Sequence, residues 1–148
     1  MKITIRNLQS RIPLNQARIR KAALRACSET NILKSGSIAV IFVTDRYIRK
    51  LNLKYLRKNR PTDVMAFDIS GQPGREINAD IFISVDTALR QSKLYKTTPL
   101  SELFLYVIHG VLHLAGYDDN TRKNRLAMQK KQEAILKKVL SKNAHPKK

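Results

Sequence analysis

The stretch SELFLYVIHGVLHLAGYDDN, residues 101–120, constrains the fold more than any other part of this chain. Leu103, Phe104, Leu105, Tyr106, Val107, Ile108, Val111, Leu112 and Leu114 make it apolar almost all round. A helix of that composition has no face to give to water, so it must be deeply buried, with other elements packed about it. Pro99 closes the segment before it, Ser101 offers a cap for the first turn, and Gly116 offers a residue that can end it.

His109 and His113 interrupt the apolar run. Positions four apart stack on one face of a helix, so both imidazoles point the same way. Two packed core histidines would each need hydrogen-bond partners, at roughly 1–3 kcal/mol apiece if left unsatisfied. A metal ion meets that need at one nitrogen of each ring. A left-handed turn at Gly116 brings Asp119 back under the same two rings, and H-x-x-x-H-x-x-G-x-x-D matches a zincin-type helix in which a glycine turn delivers the third ligand. Three convergent ligands with a fourth position open are what catalytic zinc requires. The expectation is one Zn²⁺ per chain on His109, His113 and Asp119, with no small-molecule cofactor besides.

Zinc proteases of this pattern carry Glu directly after the first His, as general base. Gly110 stands there instead. Glu102 lies seven residues before His109, about 10 Å along the axis, and is better placed to complement the positive end of the helix dipole. A glycine inside a helix costs about 1 kcal/mol against alanine, so this position needs space or a close approach. A peptidase reading therefore lacks its base. What remains is a metal-activated water acting on a substrate whose own groups, or a residue elsewhere, handle the protons.

The chain's 29 Lys+Arg against 11 Asp+Glu leave a net charge of +18, which favours polyanionic partners. Three stretches concentrate it: Arg11 to Arg25; Arg46, Arg49, Lys50, Lys54, Arg57, Lys58 and Arg60; and Arg122 to Lys148, where Glu133 is the only acid. Nucleic acid or a ribonucleoprotein fits this charge. An anionic membrane surface competes, but the basic helices lack the aromatic face that interfacial insertion uses. The longest apolar runs, IAVIFV and LFLYVI, are too short to span a bilayer, and MKITIRNLQSR has no signal-peptide core. Cys27 is the only cysteine and sits among alanines, a packed residue rather than a nucleophile. These features point to a cytoplasmic protein with no membrane partner.

With 148 residues and no long linker, the chain reads as one domain over 1–142 with a basic flexible tail at 143–148. Strands are expected at 2–7, 37–43, about 63–69 and 80–84, the last two forming a hairpin across the turn GQPGR at 71–75. Helices are expected at 14–33, with Leu14, Ala17, Leu24 and Ile32 among its apolar positions, and from a Thr44 or Asp45 cap to about Tyr55. Three more follow, around 85–94, through the histidines, and over about 121–142. The class is α/β (α+β), with four strands and about five helices.

HGVLHLAGYDD at 109–119 closely resembles the signature H-G-x-L-H-L-x-G-Y-D-H of the YbeY endoribonuclease family. LNLKYLRKNRPTDVMAFDI at 51–69 resembles the family's block L-N-x-x-Y-R-x-x-D-x-P-T-D-V-L-S-F, and ADIFIS at 79–84 its G-D-I-x-I-S strand. Met128 and Glu133 fit its closing helix. The resemblance implies a small mixed sheet, a bound metal usually taken as zinc, and an RNase role in ribosomal RNA maturation and ribosome quality control. Two positions depart from it. The family's third histidine aligns with Asp119, also a normal zinc ligand, and the family's arginine aligns with Leu56, with Arg57 one residue later. On a continuing helix Arg57 would point about 100° away from its neighbour.

The resulting expectation is a zinc-dependent, single-strand-directed endoribonuclease acting on ribosomal RNA and ribosomal particles. His109, His113 and Asp119 hold the metal, Lys54, Arg57, Lys58 and Arg60 bind RNA, and Arg57 neutralises the phosphate in catalysis. Either the activated water or an RNA 2′-hydroxyl is the attacking group. Two alternatives stand beside this: an rRNA-binding assembly factor whose metal is structural, and a metallopeptidase.

Overall fold

The computed structural model describes residues 1–30, 35–70 and 76–144, with side chains through Ser141. The expected turn at 71–75, the end of the 14–33 helix and residues 145–148 of the expected tail lie outside them. Four strands, β1 (Lys2–Asn7), β2 (Gly36–Val43), β3 (Val64–Asp68) and β4 (Ile77–Ser84), form one sheet in the order β1-β2-β4-β3. β1, β2 and β4 are parallel, and β3 closes the edge antiparallel to β4. The sheet is therefore mixed. β4 begins earlier than the apolar residues DIFIS suggest, because its backbone pairs with β2 from Ile77 onward.

Five helices complete the described chain: α1 (Gln16–Thr30), α2 (Asp45–Leu56), α3 (Val85–Tyr95), α4 (Pro99–Leu114) and α5 (Arg122–Ala144). α4 is the buried centre, packed on α1, α3, α5 and strands β3 and β4. The other face of the sheet holds a smaller core of Ile41, Val43, Met65 and Ile48, the last supplied by α2. β2 is thus apolar on both faces, as its unbroken run requires.

Several local details differ from the sequence-based expectations. α1 buries Ile19, Ala22, Ala23, Ala26 and Cys27, a stripe at helical spacing, while Leu24 is exposed. The larger leucine attracts attention, but the alanines allow close approach of α4. Thr44, not Asp45, caps α2, its hydroxyl accepting from the Tyr47 amide at 3.3 Å. Asp45 instead accepts from Ser84 at 2.6 Å and Thr87 at 2.9 Å, and pairs with Arg90, while its amide donates to Asp86 at 2.8 Å. This exchange fixes α2 to the start of α3. Burial opposes the charge on Asp45, but hydrogen bonds from Arg90, Ser84 and Thr87 hold its pKa below the usual value. α5 runs to Ala144, two residues past the expected domain end.

Candidate metal centre

Thr98 caps α4, with Pro99 in the first turn and Ser101 closing a reciprocal capping box, so Ser101 supports the cap rather than providing it. Glu102 lies in that first turn, where it complements the helix dipole and accepts from Thr97 at 2.8 Å. At Gly110 the helix meets β4. An added Cβ would fall 2.7 Å from Ile81 Cγ2, so the glycine supplies close approach.

The C-terminus of α4 is built to turn. Gly116 adopts φ +101°, the Tyr117 amide donates to Leu112 O at 3.0 Å, and the Gly116 amide donates to His113 O at 3.1 Å. This pairing is a Schellman motif, which closes the last carbonyls and reverses the chain. Asp118 then holds the loop, accepting from the Asn120 amide at 3.1 Å and Asn124 Nδ2 at 2.9 Å. Thr121 caps α5 through the Asn124 amide at 3.1 Å. With both structural tasks taken, the Asp119 carboxylate has no hydrogen bond or ion pair among the described residues.

That carboxylate joins the two histidines. One ligand atom each from His109, His113 and Asp119 lie within 4.8 Å of one another, with the histidines half-buried and Asp119 exposed. The two Nε2 atoms are 3.0 Å apart. Tetrahedral zinc with ligands at 2.0–2.1 Å separates its donors by about 3.3 Å, so the imidazoles need little adjustment to accept it. His109 Nδ1 is held at 2.7 Å by Gln132 Oε1 of α5, so Nδ1 carries the proton and the Nε2 lone pair faces the triad. Burial, then the neighbouring His109, lower the His113 pKa, opposed by Asp119, the Tyr117 backbone and Asp63. A neutral imidazole is the ligand form. The donor set fits a small divalent cation with a solvent-facing position beside Asp119.

The expected RNA-binding residues are exposed at the end of α2 and in the loop that follows it. Lys54 is in the last turn of α2, with its Nζ 5.2 Å from the Tyr55 ring centre. Arg57 does not continue the helix: it takes the left-handed conformation at φ 56° and caps α2 through its backbone. The predicted 100° offset from Leu56 is therefore replaced by a chain reversal. Lys58 and Arg60 are exposed in the following loop. Among the described residues none of the four bonds to the triad. Asp63, just after that loop, is among the groups whose charge raises the His113 pKa against the effect of burial.

Two positioning residues escaped the sequence reading. Gln132 has no local motif, because its partner lies 23 residues away on another helix. Asn52 is buried on α2 and donates from Nδ2 to Arg60 O at 2.9 Å, anchoring the basic loop. Its signals were a polar residue on the inward stripe with Ile48 and the asparagine of the L-N-x-x-Y-R block.

The three basic stretches also prove unequal. Arg11 pairs with Asp86 at 2.7 Å, Arg18 lies 5.3 Å over the Phe104 ring, Arg20 donates to Ile3 O, and Arg25 pairs with Glu29. Much of the first stretch is thus committed to the fold. No cation of the 46–60 stretch has an ion pair among the described residues.

The family model for Endoribonuclease YbeY matches residues 4–140. The chain belongs to the YbeY family. Endoribonuclease YbeY of Syntrophus aciditrophicus is 33% identical over 142 residues, covering 92% of this chain and 88% of the relative. That of Geobacter metallireducens is 36% identical over 122 residues, covering 80% and 81%. The solution structure of TM1509 from Thermotoga maritima shares the fold, with a TM-score of 0.65 at 24% identity over 97% of this chain and 93% of that one. The match begins within β1 and ends within the last turns of α5, so it takes in all four strands and five helices at least in part. No described helix is long and apolar enough to cross a membrane.

Proposed function

We propose that this chain is a zinc-dependent endoribonuclease that cuts single-stranded RNA during ribosomal RNA maturation and ribosome quality control in the cytoplasm. The observation that carries the reading is the convergence of His109, His113 and Asp119 within 4.8 Å, in a chain of a family named for endoribonuclease activity. His109 and His113 would hold one Zn²⁺ through Nε2, and Asp119 would complete the protein ligands. When bound, the ion supplies Lewis-acid polarisation of a phosphodiester and activation of water near neutral pH.

The rest falls to the chain itself. Gln132 holds the proton on His109 Nδ1 and fixes the ring. Arg57 neutralises charge developing on the phosphate, and Lys54, Lys58 and Arg60 bind flanking phosphates. Asn52 keeps the loop that carries Arg60 in place. Gly110 leaves the helix without the carboxylate a peptidase needs, and its contact with Ile81 accounts for it structurally.

The test is multiple-turnover cleavage of single-stranded RNA by the purified chain. Cleavage should be abolished by chelator, restored by Zn²⁺ and absent in His113→Ala. Stoichiometric binding without turnover in the metal-loaded protein would favour an assembly factor with a structural metal. Cyclic 2′,3′-phosphate ends would identify attack by the RNA's own 2′-hydroxyl.

A further inference from the structure

Four of the chain's nine aromatic residues form one continuous row on the sheet face opposite α4. Tyr47 stacks on Phe82 with ring centres 6.1 Å apart, Phe82 meets Phe67 edge-on at 5.9 Å, and Phe67 meets Tyr55 at 5.3 Å. Phe67 and Phe82 share a face because Phe82 pairs with Met65 across the antiparallel strands and Phe67 lies two residues on from Met65. Packing alone accounts for the inner pair. It does not account for the ends, since Tyr47 remains 40% exposed and Tyr55 54% exposed.

The surroundings of the row are strongly cationic. No acid occurs between Arg46 and Thr62, and that stretch is free of ion pairs among the described residues. Lys54 already lies over Tyr55, so a cation and an exposed ring are presented together. Exposed rings bordered by unpaired Lys and Arg are the chemistry that binds single-stranded nucleic acid, with bases on the rings and phosphates on the cations. The one carboxylate paired with the row is Asp80, opposite Phe67.

We propose that the Tyr47–Phe82–Phe67–Tyr55 row is a stacking platform for bases of single-stranded RNA flanking the cleavage site. This rests on the endoribonuclease reading and extends it to a second contact region. The loop from Arg57 to Asp63 links α2 to β3, the two elements that carry Tyr47, Tyr55 and Phe67.

The experiment measures binding of a fluorescent oligouridylate, about 12 nucleotides long, across a salt series. Tyr55→Leu and Tyr47→Leu keep apolar bulk and remove the ring, and each should weaken binding by roughly five- to a hundredfold. The salt slope should stay unchanged, because no phosphate contact is lost, whereas Arg57→Ala should flatten it by about 0.7. Tyr55→Phe should retain wild-type affinity. In the unaltered protein, 4-thiouridine crosslinks should map to Tyr47, Tyr55 or Phe67. Undiminished affinity in folded leucine variants, or crosslinks confined to other surfaces, would overturn the platform while leaving the nuclease standing. Failure of the unaltered chain to bind or cut RNA would overturn both. Loss of binding to a protein partner alone would identify the row as a protein-docking face and reject the proposal.

Discussion

Gly110→Ala tests the close contact that seats α4 on β4. Alanine should gain about 1 kcal/mol of helix propensity over glycine. Against that, its Cβ would lie 2.7 Å from Ile81 Cγ2 and 3.1 Å from Cδ1, in a fully buried contact. Cγ2 sits directly on a branched Cβ, so it moves only if the whole side chain leaves its rotamer or the helix lifts. Overpacking of this kind costs about 1–3 kcal/mol, and its upper part, about 2–3 kcal/mol, applies where little relaxation is possible, leaving a net loss of about 1–2 kcal/mol. For a chain of this size that is roughly 2–8 °C in Tm. Urea denaturation of the metal-free protein measures it without interference from bound ion. Ile81→Ala alone should cost about 2–5 kcal/mol through its cavity, and in the double variant the new methyl partly fills that space. The pair should therefore be more stable than the sum of single effects. A stabilised Gly110→Ala, with a double variant additive within about 0.5 kcal/mol, would refute the close contact.

Gln132→Ala should weaken zinc affinity about 10–100-fold while leaving the ligands intact, measured by competition with a chromophoric chelator. In metal-free protein, His113 has a pKa below 6.5 because burial favours its neutral form, so the unfolded chain takes up the proton first. Stability from this group is then present above pH 6.5 and lost as pH falls through the folded pKa. Denaturation from pH 7 to 5 should show that decline, reduced in His113→Gln. Charge reversal within 46–60 should weaken RNA binding and flatten its salt dependence more than reversal within 11–25, whose arginines serve the fold. Filter binding across a salt series compares the two.

The centre was largely legible because its parts are local. Helix periodicity places His109 over His113, and a glycine at helix end implies the turn that returns Asp119. The strands were legible for the same reason, since apolar runs such as IAVIFV leave little alternative to a buried strand. What the sequence concealed depends on tertiary partners. Gln132 matters only because α5 lies against α4, and Asn52 only because the loop folds back over it. The division of cations into structural and free sets needs the ion pairs themselves. The end of α2 shows a further limit: Arg57 in the left-handed region has no residue-level signal, because glycine is the usual choice there.

Zinc content after exhaustive dialysis, measured beside unfolding free energy for Asp119→Ala, tests the central claim most directly. Because Thr121 caps α5 and Asp118 holds the loop, the Asp119 carboxylate has no hydrogen bond or ion pair in the fold among the described residues. The unaltered chain should retain about one Zn²⁺, and Asp119→Ala should lose it nearly as fully as His113→Ala, with metal-free stability unchanged. Asp119→His should retain the ion. A full complement of zinc in Asp119→Ala, or a stability loss of about 1 kcal/mol with zinc untouched, would contradict the three-ligand site.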